Sequence, residues 1–333
     1  MTASPLIDIQ RLRVLFHGDD GRTTHAVDSV DLSVAHGATV GLVGESGCGK
    51  SVTSLAIMGL LSKQSAEVSG SIRFDGFDLL AAGDETLRDL RGNRLAMVFQ
   101  EPMTSLNPVL KIGFQIAESL RYHRGMDRAA ANAAALELLD QVKIPAARQR
   151  FDDYPHQFSG GMRQRVMIAM ALACRPKLLL ADEPTTALDV TIQAQVLSLL
   201  AELKSAYGMA MIFITHNLGV VAAIADRVAV MYAGEIVETA PVDDLFARPT
   251  HPYTEALLST IPRVDRDSAG LSAIPGQVPP ISAMPPGCRF APRCGLREPQ
   301  CEAASPVLAA LADDTAHRVR CRVRAPALEA AHG

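Results

Sequence analysis

Residues 44–51 have the residue types and the spacing of a phosphate-binding loop. They match the pattern G-x-x-x-x-G-K-[ST] and read Gly44, Glu45, Ser46, Gly47, Cys48, Gly49, Lys50 and Ser51. Glycines allow backbone turns that a side chain would block, so successive N–H groups can point at one anion. Lys50 is expected to place its charge at the β- and γ-phosphates, and Ser51 to offer its hydroxyl to Mg²⁺. This stretch therefore predicts a nucleotide phosphate site with Mg²⁺.

Two adjacent carboxylates, Asp182 and Glu183, follow the apolar run at 178–181. A continuous apolar run that ends in acid is typical of a buried parallel strand. In phosphate-loop ATPases such an acid holds Mg²⁺ together with the loop Ser or Thr. Asp182 suits that role, and Glu183 is placed to poise a water against the γ-phosphate. The alternative is that both acids are solvated strand ends.

The elements that must position these groups follow from the hydrophobic pattern. A short apolar strand is predicted at 39–43, and a buried helix at 52–61 is expected to present its positive N-terminal end to the phosphates. Further strands and helices alternate through 178–225, a hairpin is predicted around Ala233 and Gly234, and residues 101–175 are mostly helical. This alternation indicates an α/β fold with a mainly parallel sheet.

Composition and charge exclude several classes of protein. The chain has 333 residues, a net charge of -4 and a pI near 6.1, which gives no electrostatic footprint for nucleic acid. No apolar run approaches the ~18 residues that span a bilayer. The first residues lack a basic stretch leading into an apolar one, as a signal peptide would have. We therefore expect a soluble cytoplasmic protein without a nucleic-acid partner.

Four further segments complete a set of motifs. They are Gln100 after the apolar strand at 95–99, the helix start Ser159-Gly160-Gly161-Met162, the run Ala187-Leu188-Asp189, and His216 after the strand at 211–215. Alone, each has an ordinary explanation, such as a capped helix or a surface amide. In this order and spacing, together with the phosphate loop and the two acids, they resemble the ATP-binding cassette family over about residues 6–250.

The resemblance implies a fold and a set of catalytic roles. The fold is a P-loop cassette with a RecA-like core, an antiparallel β subdomain and a helical subdomain near 101–175, all within residues 1–260. Glu183 would be the general base, His216 would orient the γ-phosphate, and Lys50 and Gln100 would complete the catalytic set. Mg²⁺ would be held by Ser51, Gln100 and Asp182. ATP would contact residues 44–51, Phe16, Val52, Gln100, Asp182 and His216, with the Phe16 ring against adenine.

In this family two cassettes stack head to tail, so each ATP lies between the phosphate loop of one and the signature of the other. The signature residues Ser159, Gly160, Gly161 and Met162 would therefore serve the ATP of a partner cassette. Asp189 would belong to the D-loop. An ordinary core phenylalanine at position 16 is the alternative to adenine stacking.

The segments at 99–108 and 154–158 resemble the oligopeptide/dipeptide importer ATPases. Phe158 and Met162 depart from the common signature in the manner of the D-type subunit. The resemblance implies an ATP hydrolase that energises peptide import as a heterodimer with an F-type ATPase subunit. Its other partners would be two transmembrane permease subunits and, indirectly, an extracytoplasmic solute-binding protein. It would lie peripherally on the cytoplasmic face of the inner membrane.

Three other functions stay open. One is the ATPase of a nickel or other small-solute importer. Another is a non-transport cassette ATPase, although such proteins typically carry two cassettes or long coiled insertions, and this chain shows neither. The third is a redox sensor, against which the complete set of ATPase motifs argues.

A proline-rich change of composition after about residue 252 predicts a small extension at 261–333, which holds Cys288, Cys294, Cys301 and Cys321. In a reducing compartment such a cluster suggests a metal before disulfides. Four thiolates suit a [4Fe–4S] cluster, and some members of the resembling family carry one at equivalent cysteines. Zinc, whose ligand pairs are usually two to four residues apart, and free thiols are the alternatives. His317 is a weaker alternative ligand.

Overall fold

The computed structural model describes residues 4–18, 23–186, 188–260, 274–280 and 283–325. The chain divides into two compact units, each assembled from separate segments. The first comprises Met1–Leu6, Val34–Ala38 and Ala81–Ile214, and the second Ile7–Ser33, Thr39–Leu80 and Thr215–Gly333. The domain boundary at residue 261 stays a prediction.

Strands and helices alternate along the chain as the hydrophobic pattern predicts. The strands are β1 (Ile7–His17), β2 (Thr23–Val34), β3 (Thr39–Val43), β4 (Ala66–Phe74), β5 (Phe77–Asp78), β6 (Leu95–Val98), β7 (Leu178–Asp182), β8 (Ala210–Thr215), β9 (Arg227–Tyr232), β10 (Glu235–Pro241), β11 (Ala309–Ala310) and β12 (Arg318–Val319). The helices are α1 (Lys50–Met58), α2 (Asp84–Leu90), α3 (Pro102–Ser105), α4 (Ile112–Arg124), α5 (Arg128–Gln141), α6 (Ala147–Arg150), α7 (Gly160–Leu172), α8 (Val190–Tyr207), α9 (Leu218–Ile224), α10 (Val242–Ala247), α11 (Pro252–Ser259) and α12 (Gln300–Ala303).

The first unit is built on the parallel strands β6, β7 and β8. Leu95 lies opposite Leu178, and Leu178 lies opposite Ala210. Every residue of the three strands is buried, which is why their sequences are continuous apolar runs rather than alternating ones. Helices α3 to α7 confirm the helical character predicted for residues 101–175.

The second unit contains an antiparallel sheet and a mixed one. The antiparallel sheet has the order β2-β1-β4-β5, and β1 runs beside β4 from the pair Ile7–Phe74 to the pair Phe16–Ala66. In the mixed sheet β3 is parallel to β9, and β9 forms a hairpin with β10. The hairpin turns at Ala233 and Gly234, as predicted.

Helix α1 begins and ends earlier than the predicted helix at 52–61. It starts at Lys50, immediately after the loop, and stops at Met58. Gly59 ends it in a left-handed conformation with φ of 62°, and its N–H donates to the carbonyl groups at the end of the helix. Glycine takes this conformation without steric cost, so it commonly ends helices.

The described part of the predicted extension packs onto the hairpin. β12 pairs antiparallel with β10, β11 pairs with β12, and the Arg320 N–H donates to the Val237 carbonyl at 2.8 Å. Phe290 lies in an aromatic cluster with Tyr232 and Tyr253, at ring-centroid distances of 5.2 and 5.4 Å. Residues 261–273, 281–282 and 326–333 of the predicted extension lie outside the described residues. Within the described ranges, none of the helices combines the length and the apolar content needed to cross a membrane.

Candidate nucleotide site

The phosphate loop joins β3 to α1 in the second unit. Gly49 occupies the N-cap position of α1, where no side chain makes a capping hydrogen bond. Ser51 and Val52 follow in the first turn and are half-buried. The first N–H groups of a helix have no partners within it, and this end carries a partial positive charge. The loop and the helix start therefore form a surface that suits phosphate groups.

Two glycines of the loop lie directly against neighbouring backbone. A Cβ atom at Gly44 would be 2.1 Å from the carbonyl oxygen of Met231, and one at Gly49 would be 2.6 Å from that of Ala26. Gly49 also has φ of 105°, which side chains rarely allow. The glycines at these positions thus allow close backbone packing, and they also leave the backbone N–H groups open to an anion.

Carbonyl groups of the loop hold the Lys50 side chain across the loop. Its Nζ donates to the Gly44 oxygen at 2.8 Å and to the Glu45 oxygen at 3.0 Å, and it lies 3.8 Å from the Cys48 sulfur. Lys50 is only 5% exposed. Burial raises the pKa of the Cys48 thiol, and the nearby Lys50 only partly opposes this. The loop therefore keeps one buried cation beside a neutral thiol.

In the first unit, Gln100 and Glu183 meet beyond the carboxyl ends of β6 and β7. Gln100 Nε2 donates to Glu183 Oε2 at 3.3 Å, and Thr186 Oγ1 donates to the same oxygen at 2.8 Å. Asp182, the last residue of β7, is 4% exposed. The structure thus brings Gln100 to the carboxylate predicted to be the general base.

The backbone of Glu183 is strained. Its φ is 46°, in the left-handed region that residues with a Cβ atom seldom adopt, and its N–H donates to the Ile214 carbonyl at 2.9 Å. Such strain costs about 1–3 kcal/mol and is concentrated at functional sites. This left-handed conformation turns the chain at the point where β7 ends, and no sequence pattern predicts it.

The signature segment starts helix α7 and is exposed at its first residues. Ser159 is the N-cap, and its hydroxyl accepts the Met162 N–H at 3.4 Å. Ser159 and Gly160 are exposed, and Gly161 and Met162 are half-buried. A Cβ atom at Gly160 would contact nothing within 4 Å, whereas one at Gly161 would lie 2.8 Å from Ile192.

The remaining predicted residues fall at element ends. Asp189 caps α8, because its Oδ1 accepts the Ile192 N–H at 2.9 Å. Phe16 is half-buried near the end of β1, and His216 is exposed directly after β8. The phosphate loop, Phe16 and His216 belong to the second unit, and Gln100, Asp182, Glu183, Ser159 and Asp189 belong to the first.

Known sequences match this chain over nearly its whole length. The sequence model of the ABC transporter family matches residues 27–186, and that of the C-terminal region of oligopeptide/dipeptide transporters matches residues 237–301. A protein of Brucella melitensis, provisionally named a peptide import ATP-binding protein, is 54% identical over 96% of this chain and 98% of its own. The chain belongs to the ATP-binding cassette family. A Brucella abortus protein with a similar provisional name is 51% identical over 92% of each chain.

Solved cassette structures agree with this membership. The dimeric cassette MJ0796, described as a bacterial ABC transporter cassette, is 28% identical and superposes with a TM-score of 0.63. The alignment covers 71% of this chain and 98% of that one. A post-hydrolysis state of the same cassette with ADP and phosphate gives a TM-score of 0.64 at 27% identity. The ATPase fold predicted from the motifs is therefore confirmed.

The four C-terminal cysteines of this cassette protein line one cavity. Cys288, Cys294, Cys301 and Cys321 face it together with His251 and Phe290, among others. In the described part of the chain, no group of three or more His, Cys, Asp or Glu side chains is arranged to hold a metal ion. His317, the weaker alternative ligand, does not line this cavity, and its Nε2 lies 2.7 Å from Glu238 Oε1.

The environment of these thiols is partly buried and rich in backbone donors. Burial raises the pKa of Cys288 to about 11, against the opposing effect of the Phe290 and Ala291 N–H groups. Burial likewise raises the pKa values of Cys294 and Cys321. Each of these three thiols also feels neighbouring cysteines of the cavity, which raise its pKa further. Without a metal, Cys288, Cys294 and Cys321 are protonated near neutral pH.

Sequence reasoning missed the contacts that C-terminal residues make with the phosphate loop. The Tyr253 hydroxyl accepts the Glu45 N–H at 2.9 Å, and the Arg293 guanidinium donates to the Glu45 carboxylate. Arg293 and Glu45 are 248 positions apart. No local sequence pattern links them.

Proposed function

We propose that this chain is the ATP-binding and ATP-hydrolysing subunit that energises the import of di- and oligopeptides through an ABC transporter. The observation that carries the proposal is the match with the Brucella melitensis protein across nearly all of both chains, since that protein is named for peptide import. The match of residues 237–301 to the C-terminal region of oligopeptide/dipeptide transporters supports the same substrate class.

Within this function, the phosphate loop binds the ATP phosphates, and Lys50 supplies the charge at their β- and γ-groups. Mg²⁺, which prefers oxygen ligands, would be held by Ser51, Gln100 and Asp182 and would neutralise phosphate charge when bound. The chemistry of these donors fits that ion, because each offers a hydroxyl, amide or carboxylate oxygen. Phe16 is proposed to stack on adenine.

Glu183 is proposed to act as the general base toward the attacking water, and His216 to orient the γ-phosphate. The hydrogen bonds from Gln100 and Thr186 to one Glu183 oxygen support this role, because they fix the carboxylate in one orientation.

A second cassette is proposed to complete the ATP site. The exposed start of α7, with Ser159 and Gly160, offers a capped helix end and backbone N–H groups to a neighbouring ATP. We propose an F-type ATPase subunit as this partner, and the dimeric cassette MJ0796 is a precedent for such pairing.

An importer ATPase acts with transmembrane permease subunits, so we place the chain peripherally on the cytoplasmic face of the inner membrane. Two permease subunits would bind it directly. An extracytoplasmic solute-binding protein would act with it only indirectly.

We further propose that the C-terminal cysteines hold a [4Fe–4S] cluster. Four thiols that face one cavity, with backbone N–H groups near three of the sulfurs, are a donor set that fits such a cluster. Each of the four cysteines would bind a different iron of the cluster. Anaerobic purification should give a brown protein with absorbance near ~400 nm. Zinc without iron by elemental analysis would refute the cluster.

The test of the main proposal is complementation. A strain that lacks this gene should lose growth on di- or oligopeptides that it otherwise uses, and the intact gene should restore it. The E183Q variant should be produced normally and fail to restore growth. Restored uptake of nickel or another small solute, with peptide use unaffected by the deletion, would contradict peptide import.

A further inference from the structure

Arg293, from the C-terminal segment, forms a two-pronged ion pair with the phosphate loop. Its two terminal nitrogens donate to the two carboxylate oxygens of Glu45 at 2.7 and 3.1 Å. The Arg293 side chain is only 3% exposed, and that of Glu45 is 29% exposed. Planar guanidinium groups match carboxylates in this bidentate geometry, which fixes orientation as well as charge.

The guanidinium of Arg293 is held rigidly on its other sides. Its Nε donates to the Pro275 carbonyl at 2.9 Å, and a terminal nitrogen lies 3.4 Å from the Tyr232 hydroxyl. The group also lies over the Tyr232 and Phe290 rings, 5.7 and 6.0 Å from their centroids. These contacts use most of the donors of the side chain, so Glu45 meets a cation whose position is set by surrounding structure.

Glu45 is restrained at three separate groups. Tyr253 accepts its N–H at 2.9 Å, Lys50 donates to its carbonyl at 3.0 Å, and Arg293 pairs with its carboxylate. A movement of the Glu45 backbone would therefore change the position of the Lys50 ammonium. Arg293 stabilises the loop in the conformation that holds this ammonium.

The charge of Glu45 gives Arg293 a second effect. A carboxylate in a loop that binds polyphosphate repels the ligand, and the repulsion grows with the charge of the ligand. A paired arginine cancels most of that repulsion. We propose that Arg293 is a positioning residue for ATP binding, which holds Glu45 and neutralises its charge beside the phosphates. This inference rests on the proposed role of residues 44–51 as the ATP phosphate loop.

The experiment compares nucleotide affinities of the full-length chain by calorimetry with Mg-ATP and Mg-ADP. The R293Q variant should bind ATP roughly tenfold more weakly, the order expected for one uncompensated charge near the phosphates in a partly exposed site. The loss should be smaller for ADP and should shrink at high salt, because screening weakens charge repulsion. The matched control is R297Q, since Arg297 lies in the same segment but pairs with Glu302 at the surface. Its ATP affinity should equal that of the unchanged chain.

A double variant separates charge from packing. E45Q/R293Q removes both charges, so it should recover most of the ATP affinity lost in R293Q, whereas a merely structural role predicts no recovery. If R293Q does not fold, E45Q decides, because removal of the repelling carboxylate should leave ATP binding at least as tight as in the unchanged chain, whereas a merely structural contact predicts weaker binding. Equal ATP and ADP losses, or no recovery in the double variant, would overturn the inference. A K50A variant that binds ATP normally would instead overturn the role of the loop itself.

Discussion

Replacing Glu238 should weaken the attachment of the C-terminal segment to the hairpin of β9 and β10. This carboxylate is completely buried on β10 and accepts three hydrogen bonds. The Thr250 N–H donates to Oε1 at 2.7 Å, the His251 N–H donates to Oε2 at 2.9 Å, and the His317 ring lies 2.7 Å from Oε1. Glu238 therefore joins the hairpin, the start of α11 and the C-terminal segment at one point.

The size of the effect follows from those three bonds. In the E238Q variant an amide NH₂ replaces one carboxylate oxygen and faces a donor, so at least one buried N–H group loses its acceptor. A buried donor without a partner costs about 1–3 kcal/mol, and the remaining bonds lose their charge-assisted strength. We expect the free energy of unfolding to fall by about 2–4 kcal/mol.

The assay is urea unfolding of the full-length chain, with the midpoint and the slope measured for each variant. The matched control is E255Q, because Glu255 pairs with Arg324 at the surface, where ion pairs contribute about 0–1 kcal/mol. Limited proteolysis of the chain beyond residue 260 should become faster in E238Q and not in E255Q. A change below about 1 kcal/mol in E238Q, or equal changes in the two variants, would refute the reasoning.

Three further predictions concern the site and its surroundings. The E183Q variant should bind ATP normally and lose ATP turnover in the presence of a competent partner cassette; full turnover would contradict the general-base role. The G49A variant should lose ATP binding and about 1–3 kcal/mol of stability, because its Cβ would lie 2.6 Å from the Ala26 oxygen at a φ of 105°. Calorimetry measures the ATP affinity, and thermal melting measures the stability. Normal ATP binding by G49A would argue against the close packing. Burial, against the opposing charge of Glu238, lowers the pKa of His251 to about 4. The unfolded chain takes up this proton near pH ~6.5, so the free energy of unfolding should fall by up to about 3 kcal/mol as the pH drops from about 6.5 to 4. The H251N variant should flatten that part of the stability profile, since asparagine can still cap the Tyr253 N–H but does not titrate.

The parts of the fold that the sequence predicts well are those with a strong local pattern. The apolar runs of β3 and β7, the loop glycines and the turn at Ala233 and Gly234 each carry their own signal, so their elements appear where expected. The end of helix α1 differs from the predicted one because the cap at Gly59 lies within an otherwise apolar stretch.

The missed features depend on contacts between distant residues. Strands β11 and β12 have two residues each, too few to show any alternation; β12 pairs with the edge of β10, and β11 pairs with β12. The Arg293–Glu45 pair joins two parts of the chain that no periodicity connects. The positive φ of Glu183 is imposed by the surrounding structure, because residues with a Cβ atom disfavour this conformation. The residue type therefore does not predict it.

The most direct test of the proposed function is transport by the assembled complex. This chain, its companion ATPase and the two permease subunits would be reconstituted in lipid vesicles, with the solute-binding protein supplied on the outer face and ATP on the other. Uptake of a radiolabelled dipeptide or oligopeptide should require ATP and should stop when this chain carries E183Q. ATP hydrolysis that proceeds without peptide uptake across a broad peptide panel, or ATP-driven uptake of nickel in its place, would contradict the account.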